Sequence, residues 1–181
     1  MMSPAQLKLG RKPAGLTQRQ AAARLGVSQA YLALLEGGRR RITDKLARKL
    51  VRLYRLPPTA LPMEQLSMGA ACDSEVVARN LAGLGYPGFS FLRPARQVNP
   101  ASVLVAALSS SDLEVRVVEA LPWLVLKFPQ MDWEWLLKEA RQREMQNRLG
   151  FVVALARRLA ARRQAECADP QRLAEVEAML D

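Results

Sequence analysis

Apolar residues recur with helical spacing along the chain, and no stretch of the N-terminal third alternates apolar and polar residues as a half-buried strand does. Leu46, Leu50 and Leu53, for example, repeat at positions i, i+4 and i+7 of a segment that begins near Thr43. This segment is predicted to end before Pro57, because the residue that precedes a proline disfavours the helical conformation. The pattern predicts an all-α protein.

Glycine and N-cap residues divide the N-terminal third into short helices. Thr17 and Gln20 have the spacing of a capping box, so a helix is expected to begin directly after Thr17. Gly26 is expected to end this helix in a left-handed conformation, and Ser28 is expected to cap the next one. Three helices are therefore predicted before the segment that begins near Thr43, around residues 5–12 and over residues 18–25 and 29–36.

The predicted helix over residues 29–36 has two different faces. Tyr31, Leu32 and Leu35 would pack against the neighbouring helices. The opposite face carries Gln29, Ala30, Ala33 and Leu34. Two short capped helices joined by a three-residue turn are the arrangement of a helix-turn-helix, whose second helix enters the major groove of DNA. Helical hairpins of this kind also occur in proteins that never bind DNA, so the turn alone leaves both interpretations open.

The rest of the chain also has a helical pattern. Further helices are predicted after the N-caps Asp73, Asn99, Asp112, Asp132 and Asp169, and they are expected to end near Gly83, Leu108, Pro122, Arg163 and Leu180. The long helix after Asp132 is expected to break at Gly150. Residues 86–94 are predicted to form a partly extended loop. Residues 63–75 show little periodicity and are interpreted as a connector. This gives a first domain over residues 1–66 and a second, small helical domain over residues 76–181.

Basic residues are concentrated in the first of these domains. Residues 1–62 contain 13 basic and 2 acidic residues, a net charge of +11, whereas the remaining 119 residues have a net charge of −1. A basic domain joined to a neutral one indicates a polyanion as the partner of the basic domain. A solvated basic face without a ligand is the alternative. A membrane surface is a weaker one, because residues 1–62 contain no Trp or Phe.

The composition excludes several classes of chemistry. The chain has no histidine, so it cannot form a Ser-His-Asp or Cys-His triad or a histidine metal site. Cys72 and Cys167 are too few for a zinc knuckle or a disulfide framework, which favours a reducing compartment. The N-terminus has no apolar signal segment, and the apolar run over residues 121–126 is too short to span a bilayer. We therefore expect a soluble cytoplasmic protein that is not an enzyme and has no cofactor or metal.

Residues 16–39 resemble the core of the Cro/repressor-type (Xre) helix-turn-helix domain, and residues 53–61 resemble the end of that domain. The matching features are the sequence Leu-Thr-Gln at 16–18, Ala22, the turn Gly-Val-Ser at 26–28, and Glu36 followed by glycine. The resemblance implies a five-helix domain, a homodimer, and docking of the helix over residues 29–36 in the major groove of double-stranded operator DNA.

The resemblance also assigns roles to individual residues. Gln29 would be the principal base reader, because its amide can pair with adenine N6 and N7, and Gln18 would bind a phosphate. Ser28 would contact the backbone or a base edge. The remaining candidates are Arg39, Arg40 and Arg41 on phosphates and Ala30, Ala33 and Leu34 in the groove. The last three are less polar than readers often are, which implies contacts with thymine methyls and heavier reliance on DNA shape.

Two further side chains of this domain have structural expectations. Glu36 is expected to be buried and to form a cap or pair with a nearby arginine, and Tyr31 is expected to belong to the core.

The second domain is similar to the C-terminal part of certain antitoxins in four segments, residues 99–108, 113–125, 132–136 and 146–153. Those antitoxins are Xre-type regulators encoded beside an abortive-infection-type nucleotidyltransferase toxin. The similarity implies that the second domain binds a toxin while the first represses the shared promoter. The candidate partner-binding residues are Trp123, Trp133, Trp135, Phe151 and Leu155, for which a place in the core is the alternative. A free-standing regulator, whose second domain dimerises or senses a ligand, is the alternative function.

Overall fold

The computed structural model describes residues 4–63, 73–163 and 170–179, and every regular element in these ranges is helical. This confirms the prediction of an all-α protein. The chain divides into two compact units, Met1–Met63 and Glu64–Asp181, and each is described by itself. Most of the predicted connector over residues 63–75 lies outside the described residues, as do Cys72, Cys167 and the predicted N-cap Asp169.

Four α-helices form the first unit. They are α1 (Pro4–Arg11), α2 (Gln18–Leu25), α3 (Gln29–Glu36) and α4 (Asp44–Tyr54). Their shared core consists mainly of leucines, and four of these have no exposed surface, namely Leu7, Leu32, Leu35 and Leu50. The fifth helix implied by the family resemblance is a single 3-10 turn over Pro58–Ala60. It stays short because the buried side chain of Leu61 follows in an extended conformation.

Six α-helices form the second unit within the described residues. They are α5 (Ser74–Gly83), α6 (Pro100–Ser109), α7 (Val115–Lys127), α8 (Trp133–Gln142), α9 (Gln146–Arg163) and α10 (Pro170–Ala178). Every residue from Pro100 to Leu108 is buried, and α6 packs against α5, α7 and α8. A short helix that is apolar on all sides must be covered on all sides, which explains why α6 is central to the unit.

The start of α7 differs from the prediction. Its N-cap is Glu114, which makes no side-chain cap bond, and not Asp112. The reason is a side chain from α5: Ser74 Oγ accepts a hydrogen bond from the Glu114 amide at 2.9 Å and donates one to the Asp112 carbonyl at 3.4 Å. Ser74 therefore holds the segment before α7 in a non-helical conformation. The helix also continues past Pro122 as far as Lys127.

The predicted break at Gly150 was also wrong, because Gly150 lies inside α9. The break is between α8 and α9, where Glu144 has a left-handed φ of 53°. The Met145 amide donates to the Ala140 carbonyl at 3.0 Å, which closes the end of α8 as a Schellman motif does. Met145 is buried, so its burial fixes the position of this turn.

The loop over residues 86–94 contains a 3-10 turn at Pro87–Phe89 instead of extended structure. Phe89 is buried there, and its ring lies 5.3 Å from that of Tyr86. Across the described ranges of the chain, no helix combines the length and the apolar character needed to cross a bilayer.

Candidate nucleic-acid interface

The caps of α2 and α3 set the angle between the two helices. Thr17 Oγ1 accepts from the Gln20 amide at 3.2 Å, and Gln20 Oε1 accepts from the Thr17 amide at 2.9 Å, which completes the predicted capping box. Gly26 has a φ of 73°, and Ser28 Oγ accepts from the Tyr31 amide at 3.1 Å. The predicted turn is therefore present, and the cap side chain of each helix satisfies one amide of its first turn.

The two faces of α3 differ as its sequence predicts. Leu32 and Leu35 have no exposed surface, and Tyr31 is partly buried against the same core. Ser28, Gln29, Ala30 and Ala33 are exposed, and Leu34 is half-buried. Tyr31 thus packs against the core and remains partly exposed. Because alanine side chains are short, the exposed face of α3 has little to keep its backbone away from a ligand surface.

A chain of hydrogen bonds connects this exposed face to the interior. Glu36 is almost fully buried and accepts from Arg11 Nε at 2.7 Å and from Arg11 Nη2 at 3.1 Å. Gln18 Nε2 donates to the same carboxylate at 3.2 Å, and Gln29 Nε2 donates to Gln18 Oε1 at 3.4 Å. The expectation that Glu36 pairs with an arginine is confirmed. The arginine is 25 residues away, so no local spacing identifies it.

The pKa values of Arg11 and Tyr54 are both raised by their surroundings. The hydrogen bonds from Arg11 to the Glu36 carboxylate raise the pKa of Arg11 further above its ordinary value, and burial opposes this change. Burial raises the pKa of Tyr54, and the charge of Glu36 adds to that increase. The Tyr54 hydroxyl is buried and has no hydrogen-bond partner in the described part of the chain. Arg11 therefore remains charged near neutral pH, and Tyr54 remains neutral.

Some basic residues of the first unit are exposed on its surface, and another stabilises a helix end inside the unit. Arg39, Arg40 and Arg41 are all exposed and follow α3 directly, after Gly38 turns the chain with a φ of 72°. Lys49 instead donates from Nζ to the Leu25 carbonyl at 3.1 Å, where it satisfies the C-terminal end of α2. Sequence reasoning did not assign this role, because the contact joins α4 to α2.

The aromatic candidates in the second unit are mostly packed. Trp133 is buried, and its Nε1 donates to the Pro129 carbonyl at 3.0 Å, so we exclude it from any exposed partner-binding surface. Trp123 is half-buried, with its ring 5.1 Å from that of Tyr86. Phe151 is 65% exposed. Trp135 and Leu155 are half-buried.

Comparison with known proteins identifies the first unit. Residues 7–61 match the family model described as helix-turn-helix, a range that includes α2, α3 and the turn between them. Searches of curated proteins and of solved structures found no match for the chain. The first unit is therefore a helix-turn-helix domain, and the protein is a DNA-binding transcriptional regulator. The similarity of the second domain to antitoxins remains a prediction.

Proposed function

We propose that this protein is a sequence-specific repressor that binds operator DNA as a homodimer, with α3 in the major groove. The observation that carries the proposal is the exposed face of α3. This face combines one amide, on Gln29, with the two short side chains of Ala30 and Ala33. A helix with this profile can approach the edges of base pairs closely and still present one hydrogen-bonding group.

The hydrogen bond between Gln18 and Gln29 orients the proposed base reader. An amide nitrogen carries two hydrogens, so Gln29 Nε2 can donate one to Gln18 Oε1 and the other to adenine N7. Gln29 Oε1 then accepts from adenine N6. Gln18 similarly donates one hydrogen to Glu36 and retains a second for a phosphate. Both glutamines are therefore positioned before DNA arrives.

The rest of the interface positions the domain on the duplex. Arg39, Arg40 and Arg41 would contact phosphates, and Ser28, whose Oγ caps α3, would contact the backbone or a base edge. Ala30, Ala33 and the half-buried Leu34 offer only apolar contacts, such as those with thymine methyls. With one amide reader in each half-site, DNA shape contributes more to specificity. A dimer provides two readers, about 34 Å apart on the duplex.

Two matched substitutions test this proposal in full-length protein. Gln29→Ala should reduce the preference for operator over random DNA by about 1–3 kcal/mol per half-site, because it removes the proposed base contact. Arg40→Ala should weaken binding to both DNAs equally, because a phosphate contact carries no sequence information. Competition binding with operator and scrambled duplexes measures both effects. An unchanged ratio for Gln29→Ala would contradict the assignment of the reader.

For the second unit we propose a protein partner, the co-encoded nucleotidyltransferase toxin suggested by the antitoxin similarity. Support comes from the exposed ring of Phe151 beside the half-buried Leu155, and from the net charge of −1 outside residues 1–62, which gives this part no attraction for DNA. Trp123 and Trp135 are half-buried and are further candidates for contact with this partner.

Phe151→Asp should abolish binding of this toxin and inhibition of its activity, while circular dichroism shows that the protein remains folded. Arg158→Gln, a change at an exposed position of the same helix, is the control. A tight homodimer with no affinity for the neighbouring gene product would instead favour a free-standing regulator.

A further inference from the structure

The second unit contains a groove of about 430 Å³ beside the C-terminal end of α6, next to α7 and the first turns of α9. Its lining is mainly apolar and includes the buried side chains of Leu108, Leu121 and Val152. The exposed ring of Phe151 also lines it. A concave apolar site of this size with few polar groups is typical of small-molecule sites.

Among the described residues, the cationic group on the lining of this groove is Arg148. Arg148 Nη1 donates to the carbonyls of Leu108 and Ser110, at 2.8 and 2.9 Å. These bonds hold the guanidinium against the last carbonyls of α6. Within residues 4–63, 73–163 and 170–179, no acceptor is bonded to Arg148 Nε or Nη2, and no carboxylate forms an ion pair with it. Arg148 therefore has donors to offer to a ligand.

We infer that this groove binds a small amphipathic carboxylate, with the apolar body on the groove wall and the anionic head on Arg148. No acidic residue of the described part of the chain lines the groove, so none there competes for the guanidinium. A carboxylate matches the planar fork of an arginine, because two parallel hydrogen bonds form between them. Ser110, Ser111 and Asn147 supply further polar atoms on the lining.

A second copy of this chain fits the groove less well. In a two-fold symmetric contact across this face, the same patch meets itself, so both copies of Arg148 would enter the interface, where the described lining offers no carboxylate to pair with them. The inference concerns binding by this protein alone and does not rest on the proposed toxin.

Isothermal titration of the full-length protein with decanoate and with 1-decanol tests the inference. Decanoate should bind at least about tenfold more tightly than decanol, because only the carboxylate forms charge-assisted hydrogen bonds. Arg148→Gln should remove this difference, and Arg158→Gln, on the same helix but outside the groove, should preserve it. Ser111→Trp should weaken binding of both compounds, because an indole ring at this exposed lining position fills the groove.

Arg148 also holds α6, so thermal unfolding of each variant is measured alongside binding. Ser111→Trp leaves Arg148 unchanged. Its effect on decanoate binding therefore tests whether the groove is the binding site, even if Arg148→Gln lowers stability. Equal affinities for decanoate and decanol would overturn the role of Arg148. Decanoate binding that Ser111→Trp leaves unchanged would overturn the site. The absence of saturable decanoate binding up to about 1 mM would overturn the inference as a whole.

Discussion

Replacing Glu36 with alanine tests whether a buried ion pair stabilises the helix-turn-helix domain. The carboxylate accepts three hydrogen bonds, two from Arg11 and one from Gln18. The side chains of Arg11 and Glu36 are only 15% and 6% exposed. Glu36→Ala therefore leaves a guanidinium that is largely removed from water and lacks its counter-ion.

The size of the effect follows from this geometry. Removing one partner of a buried pair costs about 3–5 kcal/mol of unfolding free energy. Arg11 retains its hydrogen bond to the Leu16 carbonyl at 3.1 Å and some access to water, which places the expected loss at about 3 kcal/mol. For a domain of this size, the loss corresponds to a decrease in Tm of roughly 12–24 °C.

The positions of the tryptophans provide an internal control. All three lie between residues 123 and 135, so tryptophan fluorescence reports only on the second unit. Far-UV circular dichroism of Glu36→Ala should show an early transition for the first unit, while the fluorescence transition stays in place. Arg79→Ala, which breaks the exposed pair with Glu75, should cost less than about 1 kcal/mol. A loss below about 1 kcal/mol for Glu36→Ala would refute the argument that this pair is desolvated.

Three further predictions concern stability and DNA affinity. Tyr54→Phe should stabilise the first unit by about 1 kcal/mol, because it removes a buried hydroxyl that has no hydrogen-bond partner among the described residues. Burial raises the pKa of Tyr54, so the unfolded chain ionises first and stability falls above about pH 10; urea titrations across pH should show less of this fall in Tyr54→Phe. Glu144→Gly should stabilise the second unit by about 0.5–1 kcal/mol by relieving a left-handed φ, whereas Glu144→Ala should not. If each half-site neutralises about six phosphates, log affinity should fall with log salt at a slope near −5 per half-site, and a salt-independent affinity would contradict phosphate binding.

Local chemistry explains which parts of the fold could be predicted. The caps at Thr17 and Ser28 and the turn at Gly26 depend on neighbours within a few residues, and the boundaries of α2 and α3 follow from them. The start of α7 depends on Ser74, forty residues from Glu114. The partner of Glu36 and the groove beside Arg148 depend on tertiary contacts in the same way, so neither could be read from spacing.

Hydrogen bonds connect Arg11 through Glu36 and Gln18 to Gln29, so the stability of this domain should be coupled to the base readout proposed for Gln29. Glu36 restrains Gln18, and Gln18 in turn orients the Gln29 amide. A change in the buried pair should therefore alter the orientation of Gln29 on the surface proposed to contact DNA. Glu36→Gln keeps an oxygen that accepts from Arg11 or Gln18 but loses the charge, and it should therefore lower operator preference less than Gln29→Ala does. Unchanged preference in a destabilised but folded Glu36→Gln protein would show that Gln29 reads its base without this support.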